Sequence, residues 1–480
     1  MLRVILSGLV LLLSLVVTST VRSAKWRMLL LVVASYVFYF CWGGWFAGLL
    51  LLSTVVNYVL GNWVRRTQSS VALATGVIFN LLLLGSFKYL PPVAIVLPFS
   101  SLQKLAGLAL PLGISFWTFQ ALSYLFDLYR EEELDASFIE FALYMAFFPV
   151  VISGPICRVP EMLPQFRRSE PPDRSGQVLG LRRIAVGVLM MQLARLLDHG
   201  ILAGDGVKSG FDHVARWGGA DVWVLAFGFG LQLFLDFGGY SHIAIGAAKM
   251  LGFTVPENFA RPFSSTTPSI FWTRWHMSLS FWIRDYVFLP LAMMRRDLWW
   301  RNGMLVVSMA LFGLWHRAAL LFVLWGCYHG VLLVLHRQVQ QLQQRFGWEP
   351  PARLWDALSW ITTISLVSLG WIFFRANSLL QARQMFSTVF SPSSYGLQFL
   401  SGSFYLLVLG IVTGYAIVLR AADLLDRASV EGSVNTGIMA LIARNRWYWL
   451  TPLYALTLFF VLMITHTQGG SAAQMMYRQF

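Results

Sequence analysis

The sequence predicts an all-α, polytopic transmembrane protein with roughly 11–13 membrane segments, and three observations carry that prediction. Of 480 residues, 57% are hydrophobic and only 12% charged, where a soluble domain carries about 25% charged residues. Apolar runs repeatedly approach the ~20 residues a spanning helix needs. Those runs are continuous rather than alternating, which excludes a β-barrel.

In chain order the runs fall near 2–20, 28–42, 45–63, 70–87, 104–128, 138–156, 180–201, 221–250, 303–315, 318–336, 356–374, 402–419 and 448–465. The first follows Arg3 and is read as a span rather than a signal peptide. With no repeat, low-complexity tract or soluble insertion, residues 1–480 read as a single integral-membrane domain. Basic residues between spans (Arg22, Lys25 and Arg27, then Arg65 and Arg66) put these loops in the cytoplasm and the N-terminus outside. Strict alternation would then place the basic 157–183 region outside, so one preceding segment is expected to be re-entrant. The best candidate is FFPVVISGPICR at 147–158, because two prolines and a glycine cannot make a clean spanning helix.

The net charge of +14, from 36 Lys+Arg against 22 Asp+Glu, sits in short clusters between apolar runs. It reads as positive-inside loops on the lipid bilayer and not as nucleic-acid binding. Cys41, Cys157 and Cys327 form no CxxC pair and support neither zinc nor a disulfide framework.

Several apolar segments carry polar sets. In 111–130, Gln120, Ser123, Tyr124 and Asp127 share one helix face, which would either line a cavity or bond helices together. In 231–258, Asp236, Tyr240 and His242 surround Gly238 and Gly239, with Asp236 read as the cap of a broken helix. The richest stretch is 256–330. Its segment 270–289 predicts an amphipathic helix with His276, Ser280 and Arg284 on one stripe and Trp275, Leu279, Trp282 and Tyr286 on a neighbouring one. Arg274 and Arg284 suit a phosphate or pyrophosphate, or equally lipid headgroups. His316 sits in apolar sequence interrupted only by Arg317. A neutral imidazole at membrane depth can take the proton from a hydroxyl, although a lone buried histidine is more often ordinary core. His329 reads as a helix–helix contact. No nucleophile elbow, P-loop or HExxH is present, and no spacing supports a metal site.

The ordered set PLGISFWTFQALSYLFDLYR, FFPVVISGPICR, DFGGYSHIAIGAAKMLGF, PENFARPF, FWTRWHMSLSFWIRDYVFLPL, GLWHRAALLFVLWG and WIFFRA resembles the membrane-bound O-acyltransferase (MBOAT) family. More narrowly, it resembles the bacterial branch containing the alginate O-acetylation membrane subunit. The resemblance covers about 88–376, leaving 1–87 and 377–480 as flanking spans. It implies tilted and re-entrant helices around a central tunnel and His316 as the histidine required for acyl transfer. It also implies His276 as the second family position, and acetyl-CoA or another acyl-CoA as a substrate donor with no permanently bound cofactor. The acceptor it implies is an exported polysaccharide, reached directly or through a periplasmic acetyltransferase partner, at the inner membrane. Arg274, Arg284 and Ser280 are the expected donor-binding residues. Three departures stand out: Arg317 where glycine is usual, Leu320 and Leu321 where polar or aromatic residues are usual, and DFGGYSH in place of DFSGYSD. The rival readings are a transporter without chemistry of its own and D-alanyl transfer to teichoic acid.

Overall fold

Long apolar runs with few breakers have one way to satisfy their backbone in lipid, which is to hydrogen-bond within themselves. The computed structural model describes residues 2–92, 109–130, 134–168, 170–201, 205–212, 217–347 and 352–430, and among them α-helices form and no strand does. Eight helices are long and apolar enough to cross a membrane. They are α2 (Ala24–Gly43), α3 (Phe46–Thr67), α4 (Ser70–Lys88), α8 (Arg174–His199), α10 (Gly219–Met250), α15 (Leu320–Phe346), α16 (Ala352–Arg375) and α18 (Gly402–Val430). The chain is therefore a multi-pass membrane protein. The remaining expected runs appear as α1 (Leu2–Thr20), α5 (Ile114–Tyr129), α6 (Phe138–Ala146) and α14 (Leu298–His316). The run at 448–465 lies outside the described residues.

Contacts divide the described residues into two compact units, one formed by those up to Ile184 with Tyr240–Ile364, the other by Ala185–Gly239 with those from Ser365 to Val430. The first unit holds His276, His316 and His329.

In that unit α3, α4 and α5 pack through small and polar residues. Asn57 and Asn80 exchange side-chain amide hydrogen bonds of 3.2 and 2.6 Å between α3 and α4. Such pairs hold helices together where apolar burial gives no drive. Gly61 and Gly76 leave room for the side chains of Tyr124 and Leu125 on α5. The Gln68 amide donates to the Leu128 carbonyl, so the α3–α4 turn and the end of α5 share one face. Arg27 donates to the Glu170 carbonyl and joins that face. This basic face is the cytoplasmic one by the positive-inside rule.

The expected re-entrant element is present and extends beyond 147–158. Helix α6 has nine residues, far too few to span. It starts with a capping box in which Ser137 and Glu140 satisfy each other's backbone N–H. The chain then turns through a buried loop at 147–156 and returns along α7 (Val159–Phe166). Arg167 donates to Glu140 (2.6 Å) and to the Asp135 carbonyl, so the excursion leaves by the face it entered. That returns 157–183 to the basic face and resolves the alternation problem. At the tip, Gly113 adopts φ +73° against the backbone of Val151, where a Cβ would lie 2.1 Å from the carbonyl oxygen. Only glycine fits both demands.

A second excursion, not expected from sequence, runs from the end of α10 to the start of α14. It comprises a 3₁₀ turn at Pro262–Ser264, α11 (Pro268–Arg274), α12 (Met277–Ile283), a π turn at Arg284–Phe288 and α13 (Leu289–Met293). The two excursions meet where the Ile156 N–H donates to Ser278 Oγ (3.0 Å) and Arg158 pairs with Asp285 (2.7 Å).

In the second unit, α9 (Val207–Asp212) and α17 (Leu379–Val389) accompany the long helices. The Asp221 carboxylate accepts from the Gly218 and Phe399 N–H groups and from the Tyr405 hydroxyl (2.8, 2.9 and 2.6 Å). The expected break beside Asp236 is not there, because α10 runs unbroken for 32 residues. Gly239 instead admits the backbone of Gly187, with a Cβ position 2.6 Å from its carbonyl oxygen.

Candidate functional site

The site begins with the hairpin of α14 and α15. Gly313, Gly326 and Gly330 let the two helices touch backbone to backbone. A Cβ at Gly313 would stand 2.0 Å from the Phe322 carbonyl oxygen, and one at Gly326 would stand 2.1 Å from that of Met309. This approach forces the side chains beside those glycines into one aromatic layer. His316, the last residue of α14, stacks on Phe312 (5.2 Å between centroids) and meets Trp315 and Trp325 edge to face (4.7 and 5.5 Å).

His276 arrives from the second excursion. It does not lie on a continuous helix with Ser280 and Arg284, as the sequence pattern suggested. Helix α11 ends at Arg274, and His276 adopts φ +43°, ψ +52° before α12 begins. A left-handed conformation at a non-glycine residue costs on the order of 1 kcal/mol and marks a position over-determined by its surroundings. Those surroundings are visible: the Met277 N–H donates to the Asn258 carbonyl, and Ser278 Oγ donates to Asn258 Oδ1 (2.6 Å). The Ser280 hydroxyl closes the turn by donating to the Trp275 carbonyl (3.0 Å). The turn delivers the His276 ring to Phe312, 6.5 Å between centroids. His276 and His316, forty positions apart in sequence, thus pack on one phenyl ring. His276 is 2% exposed and His316 7%. His329 is fully buried one turn further along α15, edge-on to Trp272 and Trp325.

The layer is bounded by α5 and α4. Phe116 and Phe119 pack on Trp315, and the Trp282 indole donates to the Phe119 carbonyl (3.1 Å). Lys88, at the end of α4, holds its ammonium 4.6 Å above the Trp315 ring. The next residue, Tyr89, donates its hydroxyl to the Leu314 carbonyl (3.3 Å). The indole N–H groups of Trp272 and Trp315 are buried with no hydrogen-bond partner among the described residues. No three His, Cys, Asp or Glu side chains gather as metal ligands among those residues.

A second, polar region lies on the basic face. A cavity of about 730 Å³ is lined by Asp127, Arg130, Arg158, Glu161, Asp285 and Tyr286, with Pro160, Leu289, Pro290 and Met293. That is an ordinary size for a small-molecule site. Arg130 and Arg158 each stack over the Tyr286 ring (5.0 and 5.1 Å). The Tyr286 hydroxyl donates to Asp127 (2.6 Å), and Arg130 donates to the Asp285 backbone carbonyl (2.9 Å). Asp285 accepts from both Arg284 (2.6 Å) and Arg158. Burial would raise its carboxyl pKa, but these two guanidiniums win and hold it below the usual range. Helix α5 connects the regions: from Phe119 at the aromatic layer to Arg130 at the cavity is about 16 Å of helical rise.

Of the residues expected at the site, His276 and His316 are brought together. Arg284 stands at the basic cavity through Asp285, and Ser280 supports the His276 turn. Arg274 is elsewhere, half-buried, with a 3.5 Å bond to the Ser264 carbonyl. Arg317 does not face the His316 ring. It is an exposed, extended residue (φ −154°) closing α14. The polar face Gln120–Ser123–Tyr124–Asp127 is buried and in part joins elements: the Gln120 side-chain amide donates to the Tyr144 carbonyl (3.4 Å), while Asp127 accepts from Tyr286 and lines the cavity. Lys88, Arg130, Arg158 and Phe312 were not singled out from sequence. Their only signal was a cation or phenyl ring at the edge of an apolar run, which interfacial residues share.

The profile of the membrane-bound O-acyltransferase family matches residues 100–377. The probable alginate O-acetylase AlgI of Pseudomonas aeruginosa is 34% identical over 78% of this chain and 71% of its own length. The peptidoglycan O-acetyltransferase of Helicobacter pylori is 31% identical over 73% of this chain and 71% of its own. A teichoic acid D-alanyltransferase of Bacillus subtilis is 29% identical over 55% and 68%. With more than half its length under the family profile and these relatives, the chain belongs to the membrane-bound O-acyltransferase family and is an acyltransferase.

Proposed function

We propose that the chain moves an acetyl group from cytoplasmic acetyl-CoA to a hydroxyl of an exported polysaccharide, directly or through a periplasmic partner enzyme, at the inner membrane. The observation that carries this reading is the convergence of His276 and His316 on Phe312 inside a dry aromatic layer. His316 takes the proton of the acceptor hydroxyl as its oxygen attacks the thioester carbonyl, then returns that proton to the departing thiolate. Exclusion of water protects the thioester from hydrolysis. His276, fixed by its strained turn, orients donor or acceptor from the facing side, with Ser280 holding the turn.

The donor's phosphates sit at the basic face. Arg130 and Arg158 line a cavity there, with Arg284 beside them and Arg274 at the surface, and guanidinium–phosphate contacts are strong and directional. The rise of α5 between the regions is comparable with the reach of an extended pantetheine arm. The acetylase relatives favour an acetyl donor over D-alanyl transfer, and their acceptors favour a cell-surface glycan.

The test is mass spectrometry of surface glycans from a strain lacking the chain. Loss of O-acetyl groups, restored by the wild-type gene and not by His316→Ala, is the expected result. An unchanged acetylation pattern would overturn the acceptor assignment.

A further inference from the structure

Lys88 stands at the edge of the aromatic layer without an anionic partner. Among the described residues it has no hydrogen bond or ion pair, and its ammonium stands over the face of Trp315. The contact is built rather than accidental. Tyr89 ties the end of α4 to the Leu314 carbonyl, two residues before His316. Trp315 is itself wedged between Phe119 and His316. The ring under the ammonium, Trp315, is the one that meets His316 edge to face (4.7 Å). The Trp315 indole N–H beside it is a buried donor with no acceptor. A cation and an N–H thus face the same aromatic layer, and nothing in the described protein uses either. An ionisable side chain held against a buried aromatic layer with no counter-ion among the described residues points to a function.

We propose that Lys88 is a catalytic residue, the electrophilic group of the transfer, and that its ammonium hydrogen-bonds the oxygen of the reacting thioester carbonyl. The inference rests on His316-dependent acyl transfer. The acceptor hydroxyl gives its proton to a ring nitrogen of His316, and its oxygen bonds to the carbonyl carbon. The carbonyl π pair moves onto oxygen, and Lys88 stabilises that oxyanion. When the C–S bond breaks, the pair re-forms the carbonyl, and the leaving sulfur recovers the proton from the imidazolium. Lys88 keeps its own proton throughout. The interaction is strongest in the tetrahedral state, so its loss falls on kcat.

The test measures thiol release from acetyl-CoA by the purified chain, mixed with membranes from a strain lacking it, which supply glycan and partner alike. Lys88→Met is expected to lower kcat by about 100-fold while KM for acetyl-CoA moves by less than about threefold. Lys88→Arg, which keeps the cation, is expected to recover part of kcat. A folded Lys88→Met variant with kcat within about threefold of the parent overturns the inference. So does a loss confined to KM. If Lys88→Met does not purify as a monodisperse species, Lys88→Gln carries the same expectation and the same contrary outcomes. Failure of the acyl-transfer reading shows differently, as wild type releasing no more thiol than His316→Ala.

Discussion

The aromatic layer around His316 and the arginine-lined cavity at Tyr286 are joined by helix α5 yet are built on opposite terms. The first is dry and nearly free of charge: rings surround rings, and Lys88 is the cation at its edge. The second is a meshwork of polar contacts, with Arg158 and Arg284 paired to the Asp285 carboxylate and Arg130 donating to the Asp285 backbone carbonyl. A low-dielectric pocket amplifies each polar group it admits, which suits a proton transfer. A polar cavity with bidentate donors suits a multiply charged ligand that must also be released. Under the proposed function the difference is a division of labour, with chemistry in the aromatic layer and donor recognition at the basic face.

That division is breakable at four points. His316→Ala should lower kcat by about 10³-fold, with little change in acetyl-CoA affinity. Steady-state thiol release checks it, and a raised KM with normal kcat would move His316 out of the chemistry. His276→Ala should cost about 10–100-fold in kcat, because it orients rather than exchanges a proton. A loss equal to that of His316→Ala would merge the two roles. Arg158→Ala should raise KM for acetyl-CoA about tenfold at unchanged kcat, and the same variant assayed with acetyl-pantetheine, which lacks the nucleotide phosphates, should match wild type. Arg317→Ala should change either constant by less than about twofold, since its guanidinium is exposed; a large kcat effect would place it in the reaction after all.

The legibility of the molecule from sequence follows the same divide. Helices were readable because lipid leaves the backbone no alternative, and the first excursion was readable because Pro149, Gly154 and Pro155 cannot sit in a span. His316 and His276 stood out as rare ionisable groups in apolar sequence. The turn at His276 did not. Its apolar spacing suits a helix, and what breaks it is tertiary: the bonds that Met277 and Ser278 donate to Asn258, which no local pattern announces. The cavity was illegible for a related reason. Arg130 and Arg158 come from separate segments and are united only by Tyr286 and Asp285. Arg317, the departure that drew notice by adjacency to His316, proves to be adjacent in sequence alone.

The most direct test is a single turnover of radiolabelled acetyl-CoA at saturating concentration by the purified chain in detergent, with membranes from a strain lacking it as acceptor and no membrane gradient. His316→Ala and Arg158→Ala are run side by side. The division of labour predicts that acetyl transfer is lost in His316→Ala and proceeds at the wild-type rate in Arg158→Ala. Transfer at the parental rate by His316→Ala would contradict it.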